Sequence, residues 1–271
     1  MRAAPHLRRS TVSHSLPDHY CAVLGAEGVG LGGWHGRHHH WLGSRPFDCL
    51  AAQPAWGAAL AALDELLAAH PVKGGQLRVL LSARFSRFCL VPWSDAIATP
   101  RELDTYARAC FEHLYGQPLD DWRIVLSPEP AGAARIATAL PEALLQGLRE
   151  LGRERRLSLR SVQPYLMAAY NRCAAQMAQG DFLFVLAEPR RSVLLLAADG
   201  AWQQVLAQGC ADTDQALQAL IARTCELYGG QPPRVYLHAP GRQAVADIGA
   251  VQLCPLAAET DPLCAMWRAV A

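Results

Sequence analysis

Short apolar runs and longer helical stripes alternate along most of this chain. Leu77–Ser82 and Arg87–Trp93 are too short for helices and are rich in apolar residues, so they predict two strands at hairpin distance. Thr99-Pro100-Arg101-Glu102 then has the pattern of a capping box with Pro in the first turn, and it predicts a helix that ends at Gly116. Two strands and a helix in quick succession indicate a mixed α/β domain.

The same two patterns recur on both sides of this stretch. Apolar runs predict further strands at Tyr20–Leu24, Val29–Trp34, Arg123–Ser127, Ala134–Leu140, Leu157–Val162, Asp181–Ala187, Ser192–Ala198, Ala201–Leu206, Arg234–His238 and Val251–Cys254. Helical stripes predict helices over Ala55–His70, from Pro141, from Pro164, after a cap at Asp212-x-x-Gln215, around Gln243–Ile248, and in a last turn or two after Asp261.

Composition excludes several classes of protein. The chain has 271 residues, of which 51% are hydrophobic and 18% charged, which is typical of a packed globular protein. Its net charge of +1 gives no basic field for nucleic acid. No apolar run approaches the roughly 20 residues of a membrane helix, so no direct membrane insertion is expected. The nine cysteines are odd in number and have no C-x-x-C spacing, which favours free thiols in a reducing compartment.

A histidine cluster lies at His35 and His38–His40. Three consecutive side chains cannot all face one side of a strand or helix, and no acidic or Cys motif supplies further ligands. We therefore interpret the cluster as a solvated turn, with a metal site as the alternative.

Two segments repeat a similar pattern. ARACFEHLYGQP at residues 107–118 and ARTCELYGGQP at residues 222–232 each lead from a helix, through a Gly end and a Pro, into a strand. Convergent turn chemistry is the favoured explanation of this pattern, and duplication of a structural unit is the alternative.

The order of elements over residues 181–253 is a hairpin, a third strand, a helix, a strand, a short helix and a strand. This order, together with VLLSARFSRFCLVPW at residues 79–93 and LSLRSVQPYLMAAYNR at residues 157–172, resembles the actin-like cytoplasmic components of type IV pilus and type II secretion inner-membrane platforms. The resemblance covers roughly residues 20–255.

The resemblance implies an α/β fold with a two-lobed actin-like architecture of RNase H-like repeats and a small inserted subdomain. The corresponding division is a flexible arm at 1–18, a first lobe at 19–179 with the insert at about 83–162, a second lobe at 180–255 and a C-terminal tail at 256–271.

Members of this group are scaffolds, and some of them bind ATP between the lobes through an acidic, Gly-containing turn. Here the first turn contains Glu27 and Gly28, the second contains Pro189, which lacks an amide donor, and the late Gly-Gly turn is reduced to Gly241. We therefore expect no cofactor. In the alternative, Glu27, Gly28 and Gly241 bind Mg-ATP.

These observations favour a non-catalytic scaffold or adaptor over an enzyme. Its expected partners are proteins of an inner-membrane assembly platform, with Trp93 as an anchor, and its expected location is cytoplasmic, with attachment to the inner membrane through a partner as one option. Two enzyme alternatives remain: an actin-like ATPase or small-molecule kinase, and a metal-dependent hydrolase that uses His35 and His38–His40.

Overall fold

The computed structural model describes residues 19–36, 38–48, 54–70, 72, 74–178, 180–229, 234–241, 251–253 and 261–271. The strands before residue 165 are β1 (His19–Leu24), β2 (Gly28–His35), β3 (His38–Pro46), β4 (Gly75–Leu81), β5 (Arg87–Val91), β6 (Trp122–Leu126), β7 (Arg135–Pro141) and β8 (Leu157–Pro164). The later strands are β9 (Phe182–Glu188), β10 (Arg191–Ala198), β11 (Ala201–Gly209), β12 (Arg234–His238) and β13 (Val251–Leu253). The helices are α1 (Ala55–Ala69), α2 (Pro100–Tyr115), α3 (Glu142–Glu154), α4 (Tyr165–Ala174), α5 (Asp214–Tyr228) and α6 (Pro262–Arg268).

Two five-stranded sheets share one topology. In the first sheet the order is β3-β2-β1-β4-β8, and in the second it is β11-β10-β9-β12-β13. In both sheets the first three strands are antiparallel, and the last two run parallel to the first. The predicted α/β architecture of two related units is therefore confirmed.

A smaller sheet lies between β4 and β8 in the chain. It has the order β5-β7-β6, and α2 packs against it. The expected hairpin of Leu77–Ser82 with Arg87–Trp93 is wrong, because the Ser82 N–H donates to the Leu24 carbonyl at 2.8 Å and keeps the end of β4 beside β1. The inserted sheet spans residues 87–141, which is shorter than the expected 83–162, because β8 pairs with β4 in the first sheet.

Alternation along the central strands divides the core into layers. On β1, Ala22 and Leu24 face α1 and α3, whereas Cys21 and Val23 face a core that both large sheets share. α4 and α6 lie in that shared core, and α5 covers the outer face of the second sheet. Each fully buried Leu or Phe in these layers contributes about 1.5–3 kcal/mol. α6, which falls within the expected C-terminal tail, is thus a packed element between the sheets.

The N-terminal caps of two helices can be compared with those that the sequence predicts. The capping box of α2 is present as predicted, with the Glu102 N–H donating to Thr99 Oγ1 at 3.2 Å and the Thr99 N–H to Glu102 Oε2 at 3.0 Å. For α5 the predicted cap is wrong by one residue: Thr213 accepts from the Ala216 N–H, and Asp212 instead accepts from the Arg190 N–H at 2.7 Å.

His38–His40 form the exposed start of β3, so the solvent exposure in our interpretation of this cluster is confirmed and its placement in a turn is wrong. The chain reverses at Gly36, where φ is 60°, and His39 lies opposite Trp34 in the strand register. The His39 ring stacks on Trp34 with ring centroids 6.2 Å apart, and this aromatic contact extends the pairing.

Several predictions lie outside the described residues. These are the arm at 1–18, the helix at Gln243–Ile248 and the last residue of the strand at Val251–Cys254. None of the helices in the described ranges combines the length and the hydropathy of a membrane-spanning helix.

Candidate functional site

The cleft between the two large sheets brings together the turns that sequence analysis singled out. The β1–β2 turn, the β9–β10 turn and the loop after β12 surround a cavity of about 240 Å³ with the first residues of α6. Glu27 and Gly28 line this cavity, and Gly241 lies against Pro262 at its edge. The predicted turns therefore meet at one place.

The start of α6 covers the glycines of these turns. A Cβ at Gly25 would overlap the Leu263 side chain, and a Cβ at Gly28 would lie 3.1 Å from it. A Cβ at Gly241 would overlap the Pro262 ring. Asp261 caps the helix by accepting the Leu263 N–H at 2.9 Å. The close backbone approach that glycine permits is thus used by the protein's own C-terminal helix.

An ion pair joins the two hairpin turns across the cleft. The Arg190 guanidinium contacts the Glu27 carboxylate, and both side chains are about half exposed. Arg190 has a φ of 56°, and its N–H donates to Asp212. The Glu27 carboxylate is therefore paired with Arg190, and the backbone N–H of Arg190 in the second turn is hydrogen-bonded to Asp212.

Glu188, at the carboxyl end of β9, is a buried carboxyl group that links the two sheets. Its Oε2 accepts the Ala83 N–H at 2.8 Å, and the Ser82 hydroxyl also hydrogen-bonds to it. Burial raises the pKa of Glu188 from 4.5 to about 7, and these hydrogen bonds and the nearby Arg191 oppose the shift. The side chain thus joins the end of β9 to the residues after β4.

A second buried pair lies beside it. Tyr165 Oη and His238 Nε2 are hydrogen-bonded at 2.6 Å, which connects α4 to the end of β12. Burial lowers the pKa of His238 from 6.5 to about 4 and raises the pKa of Tyr165 well above 10. The imidazole is therefore neutral at pH 7.

Sequence reasoning missed Glu188 and His238. Each is the polar last residue of a strand and follows a buried, mainly apolar stretch, and β9 and β12 are parallel neighbours. Polar residues at the carboxyl ends of adjacent parallel strands commonly meet in a cleft. That pattern was the available signal.

Trp93 lies away from this cleft, in the segment between β5 and α2. It is 39% exposed, its indole N–H donates to Asp95 Oδ1 at 2.8 Å, and the Arg135 guanidinium lies 6.0 Å from its ring centroid. It lines a separate cavity of about 400 Å³ at the start of α2.

The histidine cluster gains no ligand set from the fold. Within the described ranges, no group of three His, Cys, Asp or Glu side chains has an arrangement that could hold a metal ion.

Comparison by sequence and by structure gives different results. No protein-family model and no curated protein matches the sequence. In structure, the chain is similar to a protein of the PilM–PilN type IV pilus biogenesis complex, at 16% identity and a TM-score of 0.64 over 93% of this chain and 90% of that one. It is also similar to the cytoplasmic domain of EpsL, an inner-membrane component of the type II secretion system of Vibrio cholerae, at 13% identity and a TM-score of 0.61 over 93% and 94%.

A third similar structure is a Bacteroides thetaiotaomicron protein of unknown function with an actin-like ATPase fold, at 9% identity and a TM-score of 0.57 over 85% and 84% of the two chains. The chain therefore has the actin-like ATPase fold, and its structure is similar to those of type IV pilus and type II secretion components, as its element order predicts.

Proposed function

We propose that this protein is a non-catalytic actin-like scaffold or adaptor in a pilus- or secretion-type envelope assembly. It acts through protein–protein contacts on the cytoplasmic side of the inner membrane. The similar structures of EpsL and of the PilM–PilN complex support the type of assembly.

The observation that carries the non-catalytic part is the position of Leu263 and Pro262 on the glycines of the cleft. Backbone N–H groups can bind phosphate only where the backbone is open to close approach. The remaining cavity of about 240 Å³ is smaller than the roughly 300–1,000 Å³ of small-molecule sites. These residues do not fit Mg-ATP.

The charges around the cavity lead to the same conclusion. Glu27, Glu188 and Asp261 line it, and Glu27 is paired with Arg190. A nucleotide polyphosphate brings several negative charges and would meet the carboxylates of Glu27 and Asp261 at close range. A Mg²⁺ ion between them would have to displace Arg190 from Glu27.

The partners are proteins of an inner-membrane assembly platform, and Trp93 is a contact residue for one of them. An exposed Trp beside a cavity has the size and rigidity of an interface anchor.

Calorimetric titration of the full chain with Mg-ATP tests the nucleotide part. We expect no dissociation constant tighter than about 1 mM, which corresponds to about −4 kcal/mol. A micromolar, Mg²⁺-dependent constant would instead support an actin-like ATPase or small-molecule kinase.

A two-hybrid assay against the products of neighbouring genes tests the scaffold part. Trp93→Ala should weaken the signal, whereas Val125→Ala, at a 59% exposed position of the inserted sheet, serves as the control. Absence of any interaction with such products would contradict the proposal.

A further inference from the structure

The hairpin of β2 and β3 places two histidines opposite each other. The chain reverses at Gly36, and His35 at the end of β2 is paired with His38 at the start of β3. Opposite residues of an antiparallel pair share one face of the sheet, and their Cβ atoms are about 4.5–5.5 Å apart. His35 and His38 therefore project side by side from one face, and both residues are exposed.

Alternation along β3 separates the three consecutive histidines. His39 lies opposite Trp34 on the other face of the sheet and stacks on it. His40 is on the same face as His38, and its ring lies across the neighbouring strand, because a Cβ at Gly33 would be 2.9 Å from His40 Nε2. The consecutive side chains thus face both ways, as the sequence predicts, but the opposite strand supplies the second imidazole that one strand alone cannot.

Aromatic contacts on the other face hold the end of this hairpin in register. Trp34 lies between the rings of His19 and His39, with centroid distances of 5.5 Å and 6.2 Å. The Arg78 guanidinium lies 5.5 Å from the Trp34 ring centroid. Because these contacts involve the residue next to His35 and its partner on β3, they order the two strands close to the turn.

Two adjacent imidazoles have the chemistry of a chelating pair. Imidazole nitrogen is a preferred ligand of Zn²⁺, Cu²⁺ and Ni²⁺, at about 2.0–2.1 Å for Zn²⁺. Rings carried by Cβ atoms about 5 Å apart can turn one nitrogen each towards a common ion. In the described part of the chain no three side chains form a metal-ligand set, so the two imidazoles supply part of the coordination and water supplies the rest.

We propose that His35 and His38 form a two-imidazole site for a divalent late transition-metal ion of the Ni²⁺, Cu²⁺ and Zn²⁺ class. The bound ion joins the end of β2 to the start of β3. Among the described strands β3 pairs with β2 alone and is the edge of its sheet, so the ion fastens an edge strand at the point where its pairing begins. This inference is independent of the proposed adaptor function.

Calorimetric titration of the full chain with NiCl₂ tests the inference, with the same substitution made at three positions. His35→Phe and His38→Phe each remove one ligand and should weaken Ni²⁺ binding at least about tenfold, since even the loss of an outer-shell partner commonly costs that much. His39→Phe is the matched control. It removes the histidine next to His38 but keeps a ring that can stack on Trp34, so Ni²⁺ binding should be unchanged.

Thermal unfolding with and without Ni²⁺ separates a site on the folded hairpin from a loose histidine tract. Only the folded hairpin places His35 beside His38, so Ni²⁺ should raise the Tm of the unchanged protein and of His39→Phe, but not that of His38→Phe. Absence of Ni²⁺ binding, equal weakening by all three substitutions, or a Tm that Ni²⁺ leaves unchanged would overturn the inference. Ni²⁺ binding that both His35→Phe and His38→Phe retain would also overturn it, because the ion would then lie elsewhere.

Discussion

Replacing Glu188 by Gln should change how the stability of the protein depends on pH. Glu188 and His238 are 4% and 3% exposed, and they lie at the ends of neighbouring strands in the cleft. Burial raises the pKa of Glu188 from 4.5 to about 7 and lowers the pKa of His238 from 6.5 to about 4. The two groups therefore shift stability in opposite directions between pH 4.5 and 6.5.

The signs follow from which state binds the proton more tightly. The folded state binds the Glu188 proton more tightly than the unfolded state does. The contribution of Glu188 to the free energy of unfolding is therefore full below pH 4.5 and is lost as pH rises through about 7. At about 1.36 kcal/mol per pH unit, the difference between the unfolded and folded pKa values of Glu188 corresponds to about 3 kcal/mol of stability. For His238 the unfolded state binds the proton more tightly, so its contribution is full above pH 6.5 and a similar amount is lost as pH falls to about 4.

Guanidinium unfolding from pH 4.5 to 8 measures the effect. The free energy of unfolding of Glu188→Gln, relative to the unchanged protein, should rise by about 3 kcal/mol from the acid end to pH 8. His238→Gln should show the complementary rise as pH falls below 6.5. Glu226→Gln, on the exposed face of α5, is the control. Coincident fluorescence and circular dichroism transitions are needed for these free energies to be comparable.

A Glu188→Gln difference that stays constant across this pH range would refute the reasoning. It would mean that the carboxyl is ionised in the folded protein at all these pH values, with its hydrogen bonds from Ala83 and Ser82 outweighing burial.

Two further predictions concern packing and are checked by thermal unfolding. Gly32→Ala should cost about 1–3 kcal/mol, because the new Cβ would overlap the Trp267 indole. Gly57→Ala, within α1 and with open space around it, should instead stabilise by about 0.5–1 kcal/mol, and equal effects would contradict this account. His39→Ala should cost about 0.5–1.5 kcal/mol through its lost aromatic stacking. His38→Ala should stay within about 0.5 kcal/mol, and the reverse order would show that the stack contributes nothing.

The second large sheet was easier to predict than the first because its strands are apolar and its turn chemistry is strong. Asp199 and Gly200 have φ values of 53° and 73°, which is the geometry that an Asp-Gly hairpin turn favours. In the first sheet, β3 begins with three exposed histidines and has no clear alternation, so its pairing with β2 could not be inferred from local sequence.

The resemblance to actin-like proteins singled out Glu27, Gly28 and Gly241, because nucleotide-binding members use turns at these places, and the structure brings these turns to one cavity. The contact of Leu263 with Gly25 joins residues at opposite ends of the chain. No local pattern reports such a contact, and the same is true of the bond from Glu188 to Ala83.

The last prediction concerns Leu263. It compares the free-energy cost of moving this side chain with the effect of the charged groups that line the cavity. Leu263 is half buried, so moving it away to admit a ligand would cost up to about 1.5–3 kcal/mol, or roughly 10- to 150-fold in affinity. The exposed Glu27–Arg190 pair adds little, since such pairs contribute about 0–1 kcal/mol. The carboxylates of Glu27 and Asp261 would remain beside any phosphate. Leu263→Ala should therefore still show no Mg-ATP binding tighter than about 1 mM by calorimetry. A micromolar constant in this variant would show that the leucine alone blocks a site that is otherwise competent.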